Sequence, residues 1–141
     1  MKRYYFLLFL PVFLVLGSCS TADAEKVADE FHKNLDAGNV DYIMNNLVDQ
    51  EDSTPEELEN FRYAIESLIS QGEMTNRKKE SGFNKNYNNG ITTVKLSYTY
   101  EVQGTKMYER LVLISKDDGY KVLMFAMNPK ESVVEGYTSA Y

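Results

Sequence analysis

Apolar residues recur along this chain with two different periods. From about Asp23 to Ala37, the residues Ala24, Val27, Ala28, Phe31 and Leu35 stand three or four apart, the spacing of one helix face. Gly38 supplies a left-handed stop. Asn39 then caps a second, short helix with Val40, Ile43, Met44 and Leu47 inward. The third helix carries the clearest start signal in the chain. Thr54 is its cap, Pro55 its first helical residue, and Glu57 closes a capping box. Leu58, Phe61, Ile65, Leu68 and Ile69 form its buried stripe, and Gly72 ends it.

After Gly72 the period falls to two. Met74 to Tyr87 is polar, with Arg77-Lys78-Lys79 at its centre, and is expected to form one charged edge strand that discourages aggregation. Asn88-Asn89-Gly90 marks a hairpin turn. Ile91 to Val102 alternates cleanly, with Val94, Leu96, Tyr98, Tyr100 and Val102 on one face. Gln103-Gly104-Thr105 turns the chain. Met107 to Ser115 and Tyr120 to Asn128 are two more strands, joined at Asp117-Asp118-Gly119, and Pro129 stops the last. The expected fold is therefore α+β: three N-terminal helices packed on a curved, four-stranded antiparallel sheet.

Register gives the two faces different memberships. A two-residue turn at Gln103-Gly104 brings Glu109 beside Tyr98 on the inner face; a three-residue loop would place Arg110 there instead. A two-residue turn at Asp118-Gly119 puts Leu113 opposite Met124 and Leu111 opposite Ala126. The outer face then holds Tyr108, Val112, Ile114, Leu123, Phe125 and Met127, and is also apolar. Antiparallel sheets usually keep one wet face, so this one needs a cover. Val133, Val134 and Tyr137 of the C-terminal tail can provide it, and so can a second subunit, with Tyr108, Val112, Leu123 and Phe125 as the dimer face.

Residues 1–18 stand apart from this pattern. Met1-Lys2-Arg3 precedes an apolar run from Tyr4 to Leu16, too short to span a bilayer. Leu16-Gly17-Ser18-Cys19 follows, holding the single cysteine, and resembles the lipobox of bacterial lipoproteins. That resemblance implies cleavage after Ser18 and acylation of Cys19, by palmitate or a similar chain, with residues 19–22 as anchor and leash. The organisation expected is a signal peptide over 1–18, a domain over 23–128 and a tail over 129–141. Ser20 after Cys19 favours the outer membrane of the cell envelope over the inner one, where there are two.

Charge narrows the partners. Residues 20–60 hold 12 acids and 2 bases, whereas residues 61–141 hold 9 acids and 11 bases. An acidic surface repels phosphate backbones, which argues against nucleic acid. No metal or cofactor is expected: Asp49, Glu51 and Asp52 lack the spaced ligands and glycine of a calcium loop, and one histidine without free cysteines makes no zinc set.

Three helices followed by an antiparallel meander, with Ala24 to Gly38-Asn39, Thr54-Pro55-Glu56-Glu57 and Arg110-Leu111-Val112-Leu113-Ile114 before Asp118-Gly119-Tyr120-Lys121-Val122, resembles the nuclear-transport-factor-2-like (cystatin-like α+β) superfamily. More narrowly, the chain is similar to small bacterial lipoproteins of unknown function that carry such a domain. The resemblance implies a sheet bent around the long helix and a cone-shaped pocket, here Phe31, Leu35, Phe61, Tyr98 and Tyr100. Some members are isomerases or dehydratases, and others only bind.

An isomerase needs a carboxylate base facing hydrogen-bond donors in an apolar pocket; Glu109 with Tyr98 and Tyr100 has the right types. A dehydratase needs a histidine base, and His32 is the one available. The expectation is instead that Glu109 is a rim charge, that the two tyrosines are core aromatics, and that His32 flanks the helix stripe. The chain is thus expected to be a membrane-anchored, non-enzymatic lipoprotein that binds a small apolar ligand or an envelope protein. A pocket enzyme and a homodimer are the alternatives.

Overall fold

The computed structural model describes residues 21–82 and 84–138. Cys19, its lipobox and the expected signal peptide lie outside the described residues. Helices α1 (Thr21–Asp36), α2 (Val40–Tyr42) and α3 (Pro55–Ser70) precede five strands, β1 (Met74–Lys79), β2 (Asn84–Asn88), β3 (Ile91–Val102), β4 (Thr105–Lys116) and β5 (Gly119–Asn128). A fourth helix, α4 (Glu131–Thr138), follows. The class is α+β, with four helices and a five-stranded antiparallel sheet ordered β1-β3-β4-β5, β2 sharing with β1 the same side of β3.

Local signals placed the helices. The Thr54 hydroxyl accepts from the Glu57 backbone N–H, and the Glu57 carboxylate accepts from the Thr54 N–H, so the capping box is complete. Gly38, at φ +72°, lets the Asn39 N–H reach back to the Asn34 carbonyl and close α1. Asn39 makes no side-chain cap on α2; its amide bonds Asn34 instead. α2 runs into a π-turn, Ile43–Leu47, that buries Ile43, Met44 and Leu47.

The expected single edge strand is two. β1 pairs with the Tyr98–Val102 end of β3 and β2 with the Ile91–Lys95 end. Gly82, at φ +110°, sits in the break between them. β1 also carries a bulge between Thr75 and Lys78, where Asn76 takes φ +54°.

The β3–β4 turn is the two-residue Gln103-Gly104, with positive φ at both positions as a type I′ turn requires, and Tyr98 lies opposite Glu109. The β4–β5 register differs from expectation. Lys116 pairs with Gly119, so the turn is Asp117-Asp118, and a bulge follows in which Val112 pairs with Met124 but Leu113 with Val122. Leu123 is the extra residue. It reverses the alternation, so Tyr120, Val122, Phe125 and Met127 join the inner core while Met124 and Ala126 do not.

The core lies between α1, α3 and the inner sheet face. Ala24, Ala28, Phe31 and Leu35 of α1 meet Ile65 and Leu68 of α3 and Val94, Leu96, Leu111 and Leu113 of the sheet. The other face is closed by the tail, which is α4 rather than an irregular extension. Val134 and Val112 are both fully buried there, whereas Tyr137 is 65% exposed and takes no part in the cover. On the far edge, Val48 bridges Val122 and the Asp49 N–H donates to the Val122 carbonyl, which shields part of β5.

Phe125 distinguishes the two registers. With Phe125 inward, Phe125→Ala is expected to cost about 3–5 kcal/mol in urea unfolding. A surface substitution would stay within about 0.5 kcal/mol.

Candidate functional site

The helix stripe of α1 sets what can sit beside it. Phe31 points into the core, and its neighbour His32 lies on the flank facing β3 and β4. Glu109, on the inner face of β4, is fully buried, and His32 is 5% exposed. His32 Nε2 and Glu109 Oε1 stand 2.6 Å apart, hydrogen-bonding distance between imidazole and carboxylate. The Tyr98 ring meets the imidazole edge-on, centroids 4.4 Å apart. Glu109 is thus a core carboxylate rather than a rim charge, and the structure joins it to the histidine that sequence spacing treated separately.

An ion pair lies next to these two groups. The β1 bulge carries Arg77 inward, where its guanidinium makes two bonds to the Asp36 carboxylate, at 2.7 and 2.8 Å, and lies 5.5 Å from the Tyr100 ring centroid. Burial works against the Arg77 charge, but the Asp36 bonds and the fields of Asp36 and Glu109 more than offset it, and its pKa is raised. Two buried atoms here have no protein partner: Arg77 Nε and Glu109 Oε2. Arg77 therefore does more than protect an edge; its sign in the sequence is Asn76, a residue that tolerates positive φ in the middle of a strand.

Burial first, and then the field of Glu109, raises the pKa of both Tyr98 and Tyr100. Folded chains hold phenolic protons that unfolded chains release above pH about 10. Stability from these groups is therefore complete below that pH and lost above it. Denaturant midpoints are expected to fall from pH about 10 upward, and Tyr98→Phe/Tyr100→Phe to flatten the fall.

The expected pocket positions are packed together. Phe31 stacks against Phe61 and Phe125, with centroids 6.4 and 5.4 Å apart, and Phe61 lies 6.1 Å from Phe125. Leu35 and Tyr100 are buried in the same cluster. The four positions expected to form a dimer face divide. Phe125 is on the inner face, because of the Leu123 bulge. Val112 is sealed on the side that α4 covers, leaving Tyr108 and Leu123 half-buried.

Open space lies further along the sheet. A cleft of about 1030 Å³ is bounded by Val48–Asp52, the β2–β3 turn and the β4–β5 turn. Tyr87, 71% exposed, and Ile91, 47% exposed, stand in its wall. The acidic loop has a local employment there. Lys116 Nζ lies 3.2 Å from Asp49, 3.3 Å from Glu51 and 2.5 Å from Asp52, so the three carboxylates hold an ammonium of this chain. The bond to Asp52, ahead of the cost of burial, raises the Lys116 pKa. Among the described residues, no group of three or more His, Cys, Asp or Glu side chains is placed to hold a metal. No described helix is long and apolar enough to cross a membrane. Sequence reading missed Tyr87 and Ile91; two large apolar side chains flanking a polar Asn-Asn-Gly turn were the available signal.

No protein-family model matches the chain, and no curated protein and no solved structure matches it either.

Removing one partner of a buried hydrogen bond costs about 1–3 kcal/mol, because the group left behind is buried without a partner. His32→Leu is expected to lose that much stability. His32→Leu/Glu109→Leu is expected to recover most of it in the same urea titration; strictly additive losses would show that the two groups are not coupled.

Proposed function

We propose that this chain is a bacterial lipoprotein of the nuclear-transport-factor-2-like type, anchored in the cell envelope through Cys19, that binds rather than catalyses. Its partner is a small apolar ligand or an envelope protein, held in the cleft walled by Tyr87 and Ile91. The observation that carries this reading is the contrast between two regions. The interior of the cone is filled by Phe31, Phe61 and Phe125. The large open cleft, with its exposed apolar side chains, lies elsewhere on the sheet. Exposed apolar residues gathered at a concave surface are the usual mark of an interaction site.

Anchoring rests on the Leu16-Gly17-Ser18-Cys19 pattern, which implies a leash of only residues 19–22. A leash this short holds the domain close to the bilayer. At about 0.8 kcal/mol per buried CH₂, two or three acyl chains make the attachment nearly permanent. Labelled palmitate is expected to be incorporated by the full chain and not by Cys19→Ser; a full chain that takes up no label would sink the anchor.

The 2.6 Å contact between His32 and Glu109 favours a second reading, a pocket enzyme of isomerase or dehydratase type with this pair as its base. Their burial weighs against it, since a substrate would have to part α1 from the sheet. Native mass spectrometry of residues 20–141, purified without detergent, tests the binding reading. A bound mass that Ile91→Asp removes supports the cleft. A mass retained by Ile91→Asp but lost with His32→Gln supports the pocket. The bare chain mass alone counts against a small ligand in either place and leaves the envelope protein as the partner.

A further inference from the structure

We infer that the free edge of β2 takes an added strand, an extended basic segment of an envelope protein, whose side chains enter the cleft beside it. The inference rests on the reading of that cleft as the binding site, and it narrows the occupant to a peptide chain. Among the described residues β2 pairs with β3 alone, so its other edge is open. Positive φ at Asn89 and Gly90 makes the β2–β3 connection a two-residue turn closed by Asn88 and Ile91. Such a closing pair is hydrogen-bonded, and hydrogen-bonded pairs alternate along an antiparallel ladder. Asn88, Asn86 and Asn84 therefore use their backbone groups on β3. The N–H and C=O of Lys85 and Tyr87 point the other way, out of the sheet edge. The Thr92 N–H agrees with this phase: opposite Tyr87, it turns away from β2 and bonds the Ser115 hydroxyl of β4 at 2.9 Å.

Sheet edges are normally blunted by charge, proline or bulges. β1 is protected in this way, by a bulge beside Asn76 and the run Arg77-Lys78-Lys79. β2, Asn84-Lys85-Asn86-Tyr87-Asn88, has one charge, no proline and no bulge in its ladder, and all five residues are exposed. Lys85 lies opposite Val94, a fully buried residue of the inner face, so Lys85 and Tyr87 stand on the inner side and wall the cleft. A strand laid along β2 shares that alternation and sends every second side chain toward the cleft, beside Tyr87 and Ile91.

Volume and charge choose the occupant. At about 1030 Å³ the cleft stands at the upper limit of small-molecule sites, which run from roughly 300 to 1,000 Å³. Its wall carries five carboxylates against three ammoniums. Lys116 is held by the acidic loop and Lys121 lies 3.4 Å from Asp118, so two of those three cations are already engaged. The excess of negative charge, with the Glu51 side chain 81% exposed, favours a strand bearing Lys or Arg and repels an acidic one. Tyr87 and Ile91 then meet the apolar residues between the cations.

The probe is an end-blocked Lys-Val-Lys-Val-Lys-Val-Lys peptide, titrated to millimolar concentration into residues 20–141, which contain the whole described fold. Backbone amides of Lys85 and Tyr87 are expected to exchange fast in the free protein and about tenfold slower with peptide bound. Those of Asn86 and Asn88, already bonded to β3, are expected to change little. Lys85→Pro removes an outward N–H without touching the β2–β3 ladder and is expected to weaken the peptide about tenfold. Lys85→Ala, which removes only the cation, is expected to strengthen it, and the same peptide with Glu in place of Lys is expected not to bind. Binding that leaves the Lys85 and Tyr87 amides fast, or equal affinity for the Glu peptide, overturns strand addition; the cleft survives as the binding site if Ile91→Asp still abolishes that binding. No binding by the Lys peptide also overturns strand addition, and the cleft then stands or falls on the native mass of the chain and of Ile91→Asp.

Discussion

The docking of α1 across the inner sheet face is the interaction on which the rest of this domain depends. Its stripe, Ala24, Ala28, Phe31 and Leu35, disappears entirely into the core. Small residues in the first two turns let the helix lie close to the strands, and Phe31 then fills the middle by stacking on Phe61 and Phe125. Close-packed interiors tolerate few voids, and the aromatic cluster fills the space between α1, α3 and the sheet. The polar groups that α1 brings down with it must therefore find partners inside. His32 meets Glu109 there, while at the surface Asp36 meets Arg77 and Glu25 meets Lys79 at the other end of the helix. Hydrophobic burial supplies the driving force, and these pairs fix the angle at which the helix is held.

The same packing explains why chemistry suggested by residue type does not translate directly into a site. Glu109, His32, Tyr98 and Tyr100 are the kinds of group an isomerase or dehydratase employs, and they converge within one small volume. Convergence also satisfies a simpler demand, that buried polar groups be paired. Glu109 answers it only in part, since one carboxylate oxygen and Arg77 Nε remain unpartnered. The acidic loop tells a parallel story. Asp49, Glu51 and Asp52 hold Lys116, so a charge cluster that resembles a cation site serves to seat a hairpin of the same chain. Open surface remains in the cleft beyond the helices, where Tyr87 and Ile91 stay in solvent.

Much of the fold was legible in the sequence because its signals are local. The helical period of α1 and α3, the capping box at Thr54, the stop at Gly38 and the turns at Asn89-Gly90 and Gln103-Gly104 each involve residues within a few positions of one another. They depend on backbone geometry and capping that operate in any context. From the same local turn, the pairing of Tyr98 with Glu109 followed directly.

The remainder was decided by tertiary contacts. Nothing near Leu123 announces a bulge; it arises because Phe125 gains more from Phe31 and Phe61 on the inner face than regular pairing offers on the outer one. That single extra residue moved Phe125 and Met127 from one side of the sheet to the other. In the same way, His32 and Glu109 stand 77 residues apart, and their meeting depends on how a helix lies over a sheet. The tail forms α4 against an outer face that needed a cover, with Val134 fully buried there. Periodicity, capping and turn type are properties of a few adjacent residues, and the sequence alone determined them. Strand phase, buried pairing and the fate of the tail are set by surfaces that exist only once the chain has folded, and only the tertiary structure decided them.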